Sequence, residues 1–227
     1  MIYVTGDMHG DISRFDDKRL RMLKRGDTLI ICGDFGFVWD GSSKERKQLR
    51  SISHNRFNIV FVDGTHENFD LLYRYPVIQW NGGSVHKIAS NIFHLCRGEI
   101  FTIEGKTIFA MGGGESKDVE LRALKAEKYW EQECPSMEEM QQGVDNLYNV
   151  NLSVDYIITH EPPSQVRKLL DENSGFNPAT AFFDELTKEC KFKHWYFGST
   201  HQDIRVSSAH TSVYESIIQI DDPGTRY

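Results

Sequence analysis

Cysteine is scarce. The 227 residues contain four, Cys32, Cys96, Cys134 and Cys190, with no C-x-x-C pair and no zinc-site spacing among them. A chain of this length can bury a core that needs no disulfides, and the usage points to a reduced, cytoplasmic compartment. Cys32 lies inside an apolar run and reads as a small buried residue rather than a nucleophile. Long apolar runs are also missing. No window approaches the 18 residues of a membrane span, and Met1-Ile2-Tyr3-Val4 leads straight into Gly6-Asp7, so neither a membrane segment nor a signal peptide is expected. Basic excess is lacking too: 26 Lys and Arg face 33 Asp and Glu, for a net charge of −7. That disfavours long nucleic acid as a partner. It leaves room for a phosphorylated ligand, because bound cations reverse the field locally. With no repeat, low-complexity tract or linker, residues 1–227 are expected to form a single domain.

What the sequence does contain is a series of short apolar runs ending in metal-ligand residue types. Residues 1–5 end at Gly6-Asp7, and 28–32 at Gly33-Asp34. Residues 59–62 end at Asp63-Gly64-Thr65-His66, 156–159 at His160, and 195–197 at Gly198-Ser199-Thr200-His201. Runs this short, rich in Ile, Val, Tyr and Phe, predict strands. Amphipathic stretches at 11–24 and 43–53 predict helices, giving a βαβαβ start to a largely parallel sheet. Ligands of such sheets bind beyond the carboxyl ends of the strands, so the five polar terminations predict one convergent site.

Further along, residues 85–88, 91–95, 99–103 and 107–111 read as an antiparallel meander belonging to a second sheet, with turns at Arg97-Gly98 and Glu104-Gly105. Gly112-Gly113-Gly114 reads as a loop, since no Lys-Ser/Thr follows to make a P-loop. Charged helices are predicted over 117–133 and 136–149, the second opened by a Ser136/Glu139 capping box. Together, about 115–150 would form a small helical cap beside the site. Residues 203–220 alternate like strands of the second sheet.

Asp7-Met8-His9 is a D-x-H motif on a strand-to-helix turn, with Gly6 and Gly10 permitting the sharp bend. Carboxylate and imidazole together suit Zn, Mn or Fe. His66 is followed directly by Glu67, a pairing that suits a general acid oriented by a carboxylate. The other histidines, His54, His86, His94, His194 and His210, read as surface or core residues; Trp130, Trp195 and Phe197 read as core; Arg97 and Arg205 are weaker candidates for phosphate contact.

In order, GDMHG, GDFG, GTHE, THEPP and GSTH resemble the D-x-H, G-D, G-N-H-[DE], lone-His and G-H-x-H series of the calcineurin-like metallophosphoesterases, over residues 6–201. The resemblance implies two facing mixed β-sheets flanked by helices, and hydrolysis of phosphomonoesters or phosphodiesters. It implies Asp7, His9 and His201 on a first metal, Asp34 bridging, and His160 on a second metal. His66 would protonate the leaving oxygen, oriented by Glu67, while a hydroxide activated by metal attacks phosphorus in line. Two positions depart from the family. Thr65 stands for its Asn and Ser199 for its first His, both ligands of the second metal. Asp-Arg, common after G-D, is replaced by Phe35-Gly36-Phe37. One tight transition-metal site is therefore expected, with the second weak or absent unless a neighbour such as Glu161 substitutes. The expected activity is that of a weak phosphatase or phosphodiesterase acting on a phosphorylated small molecule or short nucleotide. The alternative is a catalytically impaired member of the fold that binds a phospho-ligand or a protein.

Overall fold

The computed structural model of the chain describes residues 1–116 and 128–221. Strands β1 (Ile2–Thr5), β2 (Thr28–Cys32) and β3 (Asn58–Val62) run parallel at the centre of a first sheet. It is extended by β4 (Val77–Trp80), β5 (Gly83–Lys87), β6 (Ile92–Leu95) and β13 (Ile218–Gln219), in the order β13-β1-β2-β3-β6-β5-β4. The second sheet comprises β7 (Glu99–Ile103), β8 (Lys106–Met111), β9 (Tyr156–Thr159), β10 (His194–Phe197), β11 (Ile204–Arg205) and β12 (His210–Ser212). Its order is β11-β12-β10-β9-β8-β7. Among the described residues the α-helices are α1 (Ser43–Ile52), α2 (Phe69–Leu72), α3 (Met137–Asn149), α4 (Ser164–Leu170) and α5 (Pro178–Glu189).

Side-chain alternation along the central strands explains the layering. Ile30, Cys32, Val60 and Val62 face inward, against Ile108, Ala110, Ile158 and Tyr196 of the other sheet. Leu29, Ile31, Ile59 and Phe61 face outward, onto Leu49 and Ile52 of α1. Phe109, Ile157, Trp195 and Phe197 leave the second sheet on its far side and pack on Met140 and Leu147 of α3 and Phe183 and Leu186 of α5. Both sheets are therefore apolar on two faces, and the fold is the expected α/β sandwich of two facing mixed sheets flanked by helices.

Three expectations are corrected. Residues 11–24 do not form an α-helix but two 3₁₀ turns, Ile12–Asp16 and Leu20–Met22. Asp11 accepts from the amide of Ser13 and Asp17 from that of Arg19, and these local bonds compete with helix propagation. The meander is not one sheet. Its first half, β5 and β6, joins the first sheet, β6 lying parallel to β3, while β7 and β8 belong to the second. The chain crosses over at Cys96-Arg97-Gly98, where Gly98 takes φ +75°. The C-terminal stretch likewise divides, β11 and β12 entering the second sheet and β13 pairing antiparallel with β1. Apolar alternation fixes which residues are buried, not which sheet edge accepts them.

Most of the predicted helix at 117–133 lies outside the described residues; its end is a 3₁₀ turn, Glu131–Glu133. The capping box forms as expected, with the Glu139 amide donating to Ser136 Oγ and the Ser136 amide to Glu139 Oε2. Beyond it α3 lies on the outer face of the second sheet. No helix among the described residues is long and apolar enough to cross a membrane.

Candidate metal centre

The strand ends converge. Asp7 follows β1, Asp34 follows β2, His66 lies beyond β3, His160 caps β9 and His201 follows β10. Backbone bonds hold the first two loops together: the amides of Met8 and His9 both donate to the carbonyl of Asp34, at 2.9 and 2.8 Å. Close contacts at glycines make the convergence possible. A Cβ on Gly64 would lie 2.0 Å from Asp34 Oδ1, and one on Gly33, at φ +107°, 2.0 Å from His160 Nδ1.

Ligand atoms of Asp7, His9, Asp34 and His201 all lie within 4.8 Å of one another. Nε2 of His9 and Nε2 of His201 are 3.0 Å apart, and His201 Nε2 is 3.3 Å from Asp7 Oδ2. Both carboxylates are buried, at 1% and 2% exposure for Asp7 and Asp34. Among the described residues no Lys or Arg pairs with either; they face imidazoles and backbone amides, including that of Ser199, 3.0 Å from Asp7 Oδ2. Burial would raise the Asp34 pKa, but His160 and the hydrogen bonds from His66 hold it well below the usual carboxylate range. Burial also lowers the pKa of His9 against the pull of Asp34 and Asp7, which favours the neutral, ligating imidazole. Two buried carboxylates and two imidazoles on one point suit a divalent cation.

Backbone strain marks the same residues. His9, Asp34, Ser199 and His201 have φ of +46°, +42°, +61° and +52°. Left-handed conformations at non-glycine residues cost about 1–3 kcal/mol each and concentrate at functional sites. They are half of the eight such residues described, and they surround one point.

His160 sits under the centre, Nδ1 3.4 Å from Asp7 Oδ1 and Nε2 3.9 Å from Asp34 Oδ1. Burial disfavours its charge, but Asp34 and Asp7 outweigh burial and lift its pKa to about 10. His66 is half exposed. Its Nδ1 is 3.1 Å from Asp34 Oδ2 and 3.2 Å from Thr65 Oγ1, and its amide donates to Asp34 Oδ1 at 2.8 Å.

The role expected of Glu67 is corrected. Glu67 is fully buried and its Oε1 accepts from the amide of Phe35 at 2.6 Å, so it braces the Asp34 loop. The carboxylate beside the His66 ring is Asp34. The chain bends at residues 65–66, and from that bend the His66 ring meets Asp34 while Glu67 turns to the Phe35 amide. Asp63 also turns away from the centre, to Arg97 and His94. Arg97 is thereby a buried structural cation rather than a phosphate contact, and Arg205 donates to the carbonyls of Ser207 and Ser208.

A cavity of about 240 Å³ opens on the centre, lined by Asp34, Thr65, His66, His160, Ser199 and Arg167 among others. Thr65 and Ser199 present hydroxyls where the family has amide and imidazole. Glu161 does not replace them freely: its Oε1 takes Arg167 Nη1 at 3.1 Å and its Oε2 takes Asn177 Nδ2 at 2.8 Å. Arg167, Asn177 and Tyr214, whose ring stacks on His201 at 4.9 Å, went unmarked in the sequence because none adjoins a strand-end motif. A larger hollow, about 1050 Å³, lies at the other ends of the strands among Arg21, Lys24, Arg25 and Arg56, and holds none of the candidate ligands.

A phosphopantetheinyl hydrolase (PptH) from Mycobacterium tuberculosis has a similar structure, with TM-score 0.45 and 13% identity over 94% of this chain and 89% of that one. No curated protein sequence matches the chain. The profile of the calcineurin-like phosphoesterases (Metallophos) matches residues 1–203. The cluster of donors at the strand ends and that match agree: the chain belongs to the calcineurin-like phosphoesterase family.

Proposed function

We propose that the protein hydrolyses phosphate esters of small phosphorylated molecules or short nucleotides, using one tightly held divalent cation, Mn, Fe or Zn. The observation that carries this reading is the convergence of Asp7, His9, Asp34 and His201 within 4.8 Å. When bound, such a cation polarises the phosphoryl oxygen and makes water a better nucleophile at neutral pH.

The remaining work falls to side chains. Asp34 beside Nδ1 stabilises the imidazolium of His66, whose other nitrogen then carries a proton for the leaving oxygen. Asp34, and His160 once a cation replaces its proton beside Asp34 and Asp7, would offer donors at a second position, where the hydroxyls of Thr65 and Ser199 are poor substitutes for amide and imidazole. Glu161, committed to Arg167 and Asn177, adds little there. Arg167 places a guanidinium on the same cavity wall, able to meet a phosphoryl oxygen. One strong and one weak cation position support a slow enzyme.

A second reading, a phospho-ligand-binding or protein-binding member of the fold, is favoured by the same two residues, Thr65 and Ser199. An assay separates them. Metal-free protein is given an aryl phosphate monoester or diester with and without Mn²⁺. Turnover that requires Mn²⁺, stops with chelator and is lost in Asp34→Asn supports the enzyme. One bound ion per chain with no turnover of either ester supports the binding protein.

A further inference from the structure

A second hollow, of about 320 Å³, adjoins the centre on the far side of His66. His66 lines both cavities, and His9 lines this one beside it, the two rings 5.5 Å apart. The floor is bare backbone: Gly10 and Gly36 approach so closely that a Cβ on Gly36 would lie 2.5 Å from the Gly10 nitrogen. Asp40, Lys44 and Gln48 supply polar groups around it.

The rim carries Trp39, which is 42% exposed. A stray surface tryptophan would need no account, but this one is pinned. Its amide and that of Asp40 each donate to the buried carboxylate of Glu45 at 2.7 Å, and Asn68 Nδ2 donates to its carbonyl at 2.5 Å. Its ring stands edge-on against Trp130, centroids 5.8 Å apart at 69°. Trp130 is 7% exposed and belongs to the core. With its backbone held by Glu45 and Asn68 and its ring set against Trp130, the exposed part of this indole at the mouth of the cavity is placed to stack on something flat.

A general acid must stand on the side from which the leaving group departs. The 240 Å³ cavity holds Asp34, His160 and His201 and so receives the phosphoryl group. The leaving group protonated by His66 then extends into the 320 Å³ hollow. We infer that this hollow is a leaving-group subsite for a nucleoside, with its base stacked on Trp39. The inference rests on the phosphoesterase reading for its direction, and on the geometry of Trp39 alone for its ligand.

The test compares two esters with the same leaving oxygen chemistry, adenosine 5′-monophosphate and ribose 5-phosphate, which differ by the base. The Mn²⁺-loaded protein should show a higher kcat/KM for the first. Stacking a base on an aromatic ring accounts for about tenfold or more in binding, so Trp39→Ala should collapse the ratio by about tenfold and Trp39→Phe should keep most of it. Tyr148→Ala, at an exposed aromatic on α3 remote from the centre, should leave the ratio unchanged. A wild-type ratio near one, or a ratio that survives Trp39→Ala, overturns the inference while leaving the phosphoesterase reading intact. Should neither ester be hydrolysed, that reading falls, and calorimetric titration with adenosine 5′-monophosphate decides the subsite. Binding weakened about tenfold by Trp39→Ala supports it, and equal or absent binding in both proteins overturns it.

Discussion

Replacing Arg97 with Met should unfold the protein more readily than any surface change, and the structure supplies the magnitude. Asp63 is fully buried at the end of β3, and the Arg97 side chain is 2% exposed. Nε and Nη2 of Arg97 donate to Asp63 Oδ2, at 3.0 and 2.5 Å. Further donations reach Gln132 O at 2.6 Å and Glu139 Oε2 at 2.9 Å. One guanidinium thus ties the β3 end to the segment entering α3. Methionine would fill much of its volume but leave a buried carboxylate facing only His94. Removing one partner of a buried pair costs about 3–5 kcal/mol. For a protein of this length each kcal/mol shifts Tm by about 2–4 °C, so a fall of roughly 6–20 °C is expected. Urea unfolding followed by circular dichroism, in chelator, gives the free energy directly. The pair also fixes a pH dependence. Burial would raise the Asp63 pKa, but Arg97 and His94 hold it well below the usual carboxylate range. Its contribution is therefore complete above the unfolded value of about 4 and fades as pH falls below it. The difference between wild type and Arg97→Met should be largest at neutral pH and shrink under acid. A loss under about 1 kcal/mol at pH 7, or a difference that grows with acid, would refute this reasoning.

Three further outcomes are expected near the centre. His66→Ala should lower kcat by about 10²–10⁴, more for alkyl than for aryl esters, with metal content unchanged by elemental analysis. Gly64→Ala places a Cβ 2.0 Å from Asp34 Oδ1 and should weaken the tight ion at least about tenfold in a metal titration. Wild-type protein dialysed against metal-free buffer should retain about one ion per chain, whereas Thr65→Asn with Ser199→His should retain about two and turn over faster.

Much of the convergence was legible because the candidate ligands sit one to four residues beyond short strands, where parallel topology brings them together. Asp7, Asp34, His160 and His201 illustrate this. The reading failed where local chemistry overrode pattern. Asp11 and Asp17 broke a predicted helix by capturing nearby amides, and Glu67 faced the Phe35 amide rather than its neighbour's ring. Arg97 resembled a phosphate contact only because nothing in the sequence states that Asp63 points inward. Trp39 and Arg167 reach the cavities from a loop and a helix, so no strand-end pattern announces them. Pairing partners of β5, β7 and β13 depend on which sheet edge is open, a property of the assembled fold.

The central claim is that Asp7, His9, Asp34 and His201 hold one divalent cation. Crystals grown with Mn²⁺ and measured at its absorption edge test it most directly. The account expects one dominant anomalous peak at about 2.0–2.2 Å from a donor atom of each of the four side chains, with little density between His160 and Ser199. Two peaks of equal height, or a dominant peak coordinated by other residues, would contradict it.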